Sequence, residues 1–219
     1  MAGTTRDPGF PTTPGAYQTK LKGDADAFVA KFSPEGHLVY STLIGGSKRE
    51  HHVGITVDAL GAVYLVGGTH SADFPTTPGA YDVTFNGEKD WGGDVYILKL
   101  DPTGSKVLFS TFIGGRAQET ASSIRVNKQG AIVIAGTTHS PDFPTTPGAF
   151  DRIAREQNAF VLKLSSDGSG NLALIGVADS AIFPATPGAY RREGSGPETF
   201  VVARLLLRDS ETQTGKDDQ

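Results

Sequence analysis

Self-similarity constrains this chain more than any other feature. One phrase occurs four times: Phe10-Pro-Thr-Thr-Pro-Gly-Ala-Tyr17, Phe74 to Tyr81, Phe143 to Phe150 and Phe183 to Tyr190. The copies start 64, 69 and 40 residues apart. A second phrase follows each copy: Asp26-Ala-Phe-Val-Ala-Lys-Phe32, Asp94 to Leu100, Asn158 to Leu164 and Thr199 to Leu205. Two further phrases occur twice each, Val39 to Gly46 with Leu108 to Gly115, and Ile55 to Asp58 with Ile124 to Asn127. Matches of this length in fixed order mark a repeat architecture, in which neighbouring units bury one another's apolar faces.

Each full unit reads as four strands. The first, Ala27–Phe32, ends at the turn Ser33-Pro-Glu-Gly36, matched by Asp101-Pro-Thr-Gly104. Proline presets φ there and glycine relieves the exit. The second is Leu38–Ile44, ended by Gly45-Gly46. The third is Val53–Val57, turned by Asp58-Ala-Leu-Gly61 or Asn127-Lys-Gln-Gly130, and the fourth is Ala62–Val66, ended by Gly67-Gly68. Segments rich in Val, Ile, Phe and Tyr between glycine turns favour an antiparallel meander, and no segment sustains a helical period. Phe28, Ala30 and Phe32 point to one face and Val29 to the other, so both faces are largely apolar. A sheet of that kind must lie between two others. The expected fold is therefore all-β, with β-propeller blades of four antiparallel strands.

Residues 1–208 form this array, with units near 26–68, 94–137, 158–176 and 199–207, while 209–219 reads as a disordered acidic tail. The third unit is shortened: Lys163 to Gly168 runs almost directly into Leu172-Ala-Leu-Ile-Gly176. Met1-Ala-Gly-Thr-Thr5 matches the end of a fourth strand, as in Ala135 to Thr138. About two full blades and two remnants fall short of the roughly 4–8 that close a ring. The expectation is a segment of a longer propeller, or closure by association.

Composition narrows the function. The net charge is −4, and four acids against one lysine lie between Asp209 and Gln219, so no basic footprint for nucleic acid exists. With no cysteine there is no thiolate nucleophile or cysteine-based zinc site. The 28 glycines and 13 prolines are scattered among apolar runs, which fits turns between strands. No apolar run approaches the roughly 18 residues of a membrane span. The first residues lack the charged and apolar regions of an export signal.

The phrases Asp26 to Phe32, Tyr40 to Gly46, Ile55 to Asp58 and Thr69 to Tyr81 resemble the bacterial SBBP-type β-propeller repeats, over about residues 1–208. That resemblance implies a secreted or cell-surface location and no catalytic residues.

Connections after the first and third strands are short turns on one rim. Those after the second and fourth are long and share the other rim, where a binding site is expected. Phe and Tyr of the repeated phrase read as anchors and its Pro-Gly as a type II turn. Trp91, in an insertion without counterpart in the first and third units, is the leading contact residue for a sugar or peptide. Glu50, His51 and His52 are further binding candidates on the same rim. Imidazole beside carboxylate can ligate zinc, and His70 stands at the end of the fourth strand, but a solvated loop is the preferred reading. Their counterparts in the second unit are Glu119, Thr120 and Ala121, while His70 recurs as His139 and becomes Asp179. Asp26, Asp94 and Asn158 read as turn caps; calcium held by Asp73, Asp90 and Asp94 is a lesser idea. No catalytic residue, cofactor or metal is assigned. The expected function is a non-catalytic module contacting protein or carbohydrate through the long-loop rim. A propeller-type lyase or glycosidase and a structural spacer are the alternatives.

Overall fold

The computed structural model describes residues 1–87, 93–146 and 158–166. They form ten strands and, among the described residues, no helix. The strands are β1 (Ala2–Thr5), β2 (Asp26–Phe32), β3 (Leu38–Ile44), β4 (Glu50–Val57), β5 (Val63–Thr69), β6 (Asp94–Leu100), β7 (Val107–Ile113), β8 (Glu119–Val126), β9 (Ile132–Thr138) and β10 (Asn158–Leu164). They pair antiparallel in three sheets, ordered β1-β2-β3, β4-β5-β6-β7 and β8-β9-β10.

The four short turns form as expected. Gly36 N–H donates to Ser33 at 3.0 Å, and Gly61, Gly104 and Gly130 repeat the bond within 3.1 Å. All four glycines have φ between 75° and 87°, a region that costs other residues.

The sheets, however, do not coincide with the sequence units. The central sheet takes β4 and β5 from the first unit and β6 and β7 from the second, so each sheet is offset by half a repeat. The chain changes sheets at Gly45–Arg49 and again at Gly114–Gln118. The longer connections join adjacent strands of one sheet. Gly67 and Gly68 lie inside β5 and do not end it. A Cβ on Gly67 would sit 2.6 Å from Tyr96 Oη, and one on Gly68 would sit 2.3 Å from His51 Cε1. These glycines make room for rings. The third strand also begins at Glu50, three residues before its expected start, because a bulge between His51 and Gly54 lets pairing continue past Val53.

The repeated phrase is consequently not a link between sheets. It runs along the outer edge of its own sheet. Thr77 N–H donates to Ser110 O at 3.0 Å, Ser110 N–H to Thr77 Oγ1 at 2.9 Å, and Phe112 N–H to Asp82 O at 2.9 Å. Thr13 and Gln18 make the same bonds to Ser41 and Leu43 of β3. The edge groups of β3 and β7 are thus occupied by the chain's own backbone and by the Thr13 and Thr77 hydroxyls. Ala16 and Ala80 N–H close turns onto Thr13 and Thr77, with Gly15 and Gly79 at φ 78°, which is the expected type II geometry. Phe74 stacks on Tyr96 with ring centroids 4.3 Å apart, and Phe143 on Phe160 at 4.8 Å, so the phenylalanines are anchors.

Burial on both faces is clearest in the central sheet. Along β5 and β6, Val63, Leu65, Tyr96, Leu98 and Leu100 join a core shared with the first sheet. Tyr64, Val66, Val95 and Ile97 join a second core with Ile124, Ile134 and Leu162 of the third sheet. This is the period-two alternation of a sheet lying between two others. β4 lies against both β1 and β8.

Candidate functional site

At the long-connection rim, each sheet change is built around two buried carboxyl groups. Asp26 opens β2 and Glu50 opens β4. Glu50 Oε1 accepts the hydroxyls of Thr69 and Ser71, both at 2.7 Å, and Oε2 accepts Gly46 N–H at 3.2 Å. Asp26 accepts Lys22 N–H at 2.9 Å, Gly23 N–H at 3.2 Å and the Gln18 amide. Both groups converge on Gly45, where a Cβ would meet Glu50 Oε2 at 2.4 Å and Asp26 Oδ1 at 2.5 Å. Burial pushes Glu50 up to about 7, against the pull of its hydrogen bonds and with a further push from Asp26.

The next sheet change repeats the arrangement. Glu119 accepts Thr138 Oγ1–H at 2.6 Å and Gly115 N–H at 3.0 Å, and burial raises its carboxyl above the usual range. Asp94 accepts Asn86 N–H at 2.9 Å, while its Oδ1 is buried without a hydrogen-bond partner. Burial raises Asp94 to about 7, with Glu119 and Asp82 adding to the rise. A Cβ on Gly114 would lie 2.3 Å from Asp94 Oδ1 and 2.7 Å from Glu119 Oε2. The difference between the joints traces to one position. Gln18 donates to Asp26 and accepts Gly45 N–H at 3.1 Å; its counterpart Asp82 has no proton to donate. Asp82 turns instead to Thr84 N–H and the Asn86 amide.

An acid beside a carboxylate is glycosidase-like chemistry, but Asp26, Glu50, Asp94 and Glu119 are at most 1% exposed. Buried so completely, they brace the joints. Asp26 and Asp94 are turn caps, as the sequence suggests. Glu50 is not on a solvated loop; it and His51 lie buried in β4.

Beside the second joint lies an open cleft of about 290 Å³, lined by Tyr81, Asp82, Asn86, Gly114, Arg116 and Asp142. Arg116 Nε donates to Asp142 at 3.0 Å, and Tyr81 is 39% exposed. The sequence presents Tyr81 as an anchor and does not single out Arg116 or Asp142. The available signal was the alignment of Arg116 with Ser47, a change of chemistry at a repeated rim position.

His51, His52 and His70 come together at the start of β4. His51 Nδ1 and His52 Nδ1 are 2.6 Å apart, and the His51 and His70 ring centroids are 5.1 Å apart. Strand alternation would send His51 and His52 to opposite faces. The bulge and the left-handed backbone of His52, φ 52°, bring them together. His52 is the one positive-φ residue other than glycine among the described residues. Burial first, then His52, His70 and Arg49, push His51 down to about 4, so its ring is neutral at pH 7. Among the described residues no group of three or more His, Cys, Asp or Glu side chains is placed to hold a metal ion. Asp73 and Asp94 do not converge: Asp73 accepts Ser47 N–H in the first sheet change, whereas Asp94 belongs to the second. Trp91 and Asp90 lie outside the described residues.

The chain matches no protein-family model and none of the curated proteins.

Proposed function

We propose that the chain is a non-catalytic, β-propeller-type repeat module that contacts a glycan or protein through its long-connection rim, as part of a surface or secreted protein. The propeller reading rests on three antiparallel sheets formed in chain order, each sharing an apolar core with the next. The surface location rests on the resemblance of its repeats. The cleft carries the functional reading. An exposed Tyr81 ring stands beside the carboxylates of Asp82 and Asp142, the Asn86 amide and the Arg116 guanidinium. An aromatic platform with planar donors and acceptors suits the faces and hydroxyls of a sugar.

Titration of isotope-labelled protein with a panel of neutral and acidic oligosaccharides tests this. Amide shifts should cluster at residues 81–87 and 114–116, and Tyr81→Ala and Arg116→Ala should each weaken binding tenfold or more. Saturable binding that leaves these amides unmoved, or no binding across the panel, overturns the glycan reading. Shifts of the same amides with a protein partner alone would assign the rim to protein contact.

A further inference from the structure

We propose that the cleft beside the second joint selects sugars that carry an acetamido group, with Gly114 N–H and the Asp94 carboxylate as the partners of that amide. This deepens the glycan reading of the cleft and rests on it. The first joint holds an amide of its own in the corresponding place. Gln18 Oε1 accepts Gly45 N–H at 3.1 Å, while Gln18 Nε2 donates to Asp26 and, at 2.8 Å, to Lys20 O. One carboxamide thus serves a backbone donor and a buried carboxylate side by side.

The second joint keeps the backbone and loses the amide. Gln18 N–H donates to Thr42 Oγ1 at 3.1 Å and Asp82 N–H to Thr111 Oγ1 at 2.9 Å, so the two side chains start from the same place. Asp82 is shorter by a methylene and turns to Thr84 N–H at 2.7 Å and to the Asn86 amide at 2.9 Å. Asn86 Nδ2 also takes over the third partner, donating to Thr84 O at 3.2 Å. The other two are left over. Gly114 N–H makes no hydrogen bond among the described residues. Asp94 Oδ2 accepts Asn86 N–H but lacks the second donor that Asp26 Oδ2 receives from Gln18, and Asp94 Oδ1 has no partner. Buried groups left in this way cost free energy that a matching ligand recovers.

Gly114, Asp82 and Asn86 line the cleft, so the vacant place borders it. Asp94 has no exposed surface, just as Asp26 has none beneath Gln18, which is itself 7% exposed. The ligand amide enters from that same solvent side, through the cleft. Its carbonyl oxygen accepts Gly114 N–H, its N–H donates to Asp94, and the sugar ring lies against Tyr81. An acetamido group has a single N–H, and a single one suffices here because Asn86 already serves Thr84 O.

The test titrates the full chain with triacetylchitotriose and with cellotriose, which carries a hydroxyl in place of each acetamido group. Calorimetry reads affinity and NMR reads the Gly114 amide. The acetylated trimer should bind at least about tenfold tighter and move the Gly114 amide, which cellotriose leaves in place. Asp82→Gln restores the side chain of the first joint and fills the vacant place, so the preference should shrink to about threefold or less. Equal affinity for the two trimers in the parent overturns the proposal and leaves the glycan reading standing. An undiminished preference in Asp82→Gln overturns it too. Binding of neither trimer does the same, and the glycan reading falls with it only if the wider oligosaccharide panel also fails.

Discussion

Replacing Glu50 by glutamine should make this protein more stable at neutral and alkaline pH. The Glu50 carboxyl ordinarily titrates at 4.5 and is raised to about 7 in the fold. Below pH 4.5 it is protonated in both folded and unfolded chains and has no effect on the balance between them. As pH rises from 4.5 to 7 the unfolded chain ionises first, so stability falls, and above pH 7 the loss is complete. The gap corresponds to roughly 3 kcal/mol. Glutamine cannot ionise, keeps a carbonyl oxygen for the Thr69 and Ser71 hydroxyls, and turns an amide donor toward Asp26, giving up only the acceptor of Gly46 N–H, which costs less than the ionisation penalty it removes. Urea denaturation at pH 4.5, 6 and 8 should show the parent losing stability with pH. Glu50→Gln should lose about 3 kcal/mol less than the parent and stand above it at pH 8. Parental stability that stays level or rises across this window would refute the reasoning. A variant weaker than the parent at pH 8 would do so equally.

Gly114→Ala should be strongly destabilising, by about 3 kcal/mol or more, because the added methyl collides with the Asp94 and Glu119 carboxyls; thermal unfolding would show it. Phe74→Ala should cost about 3–5 kcal/mol through the lost stack on Tyr96, whereas Tyr81→Ala should change stability by about 1 kcal/mol or less. Calorimetric melting of the two variants side by side checks that contrast. His52→Gly should raise stability by about 1 kcal/mol through relief of its left-handed backbone, and denaturant titration measures it.

Strand content was legible because hydrophobic runs and glycine turns are local signals. Ser33 to Gly36 and Asp58 to Gly61 turn where the sequence says they do. The assignment of strands to sheets was not legible, since four strands per repeat are compatible with either phase. What settles the phase is the seven-residue pairing of β5 with β6 across a long connection. Within the candidate site, the capping roles of Asp26 and Asp94 were readable from position. The convergence of Glu50 with Asp26 was not, because it depends on Gly45 bringing β4 beside β2. The meeting of His51 with His52 was hidden more deeply still. Adjacent strand residues are expected on opposite faces, and no sequence pattern announces a left-handed histidine.

The half-repeat offset has a consequence for how the molecule tolerates a break. A cut anywhere between Thr69 and Asp94 falls at the boundary between two sequence units, yet it severs neighbouring strands of one sheet. The ladder from Val63 opposite Leu100 to Thr69 opposite Asp94 and the apolar cores on both sides would still hold the pieces together. Nicked protein should therefore behave as a split pair whose halves find each other again. Fragments meant to stand apart are better divided at Gly45–Arg49 or Gly114–Gln118, where the chain passes from one sheet to the next.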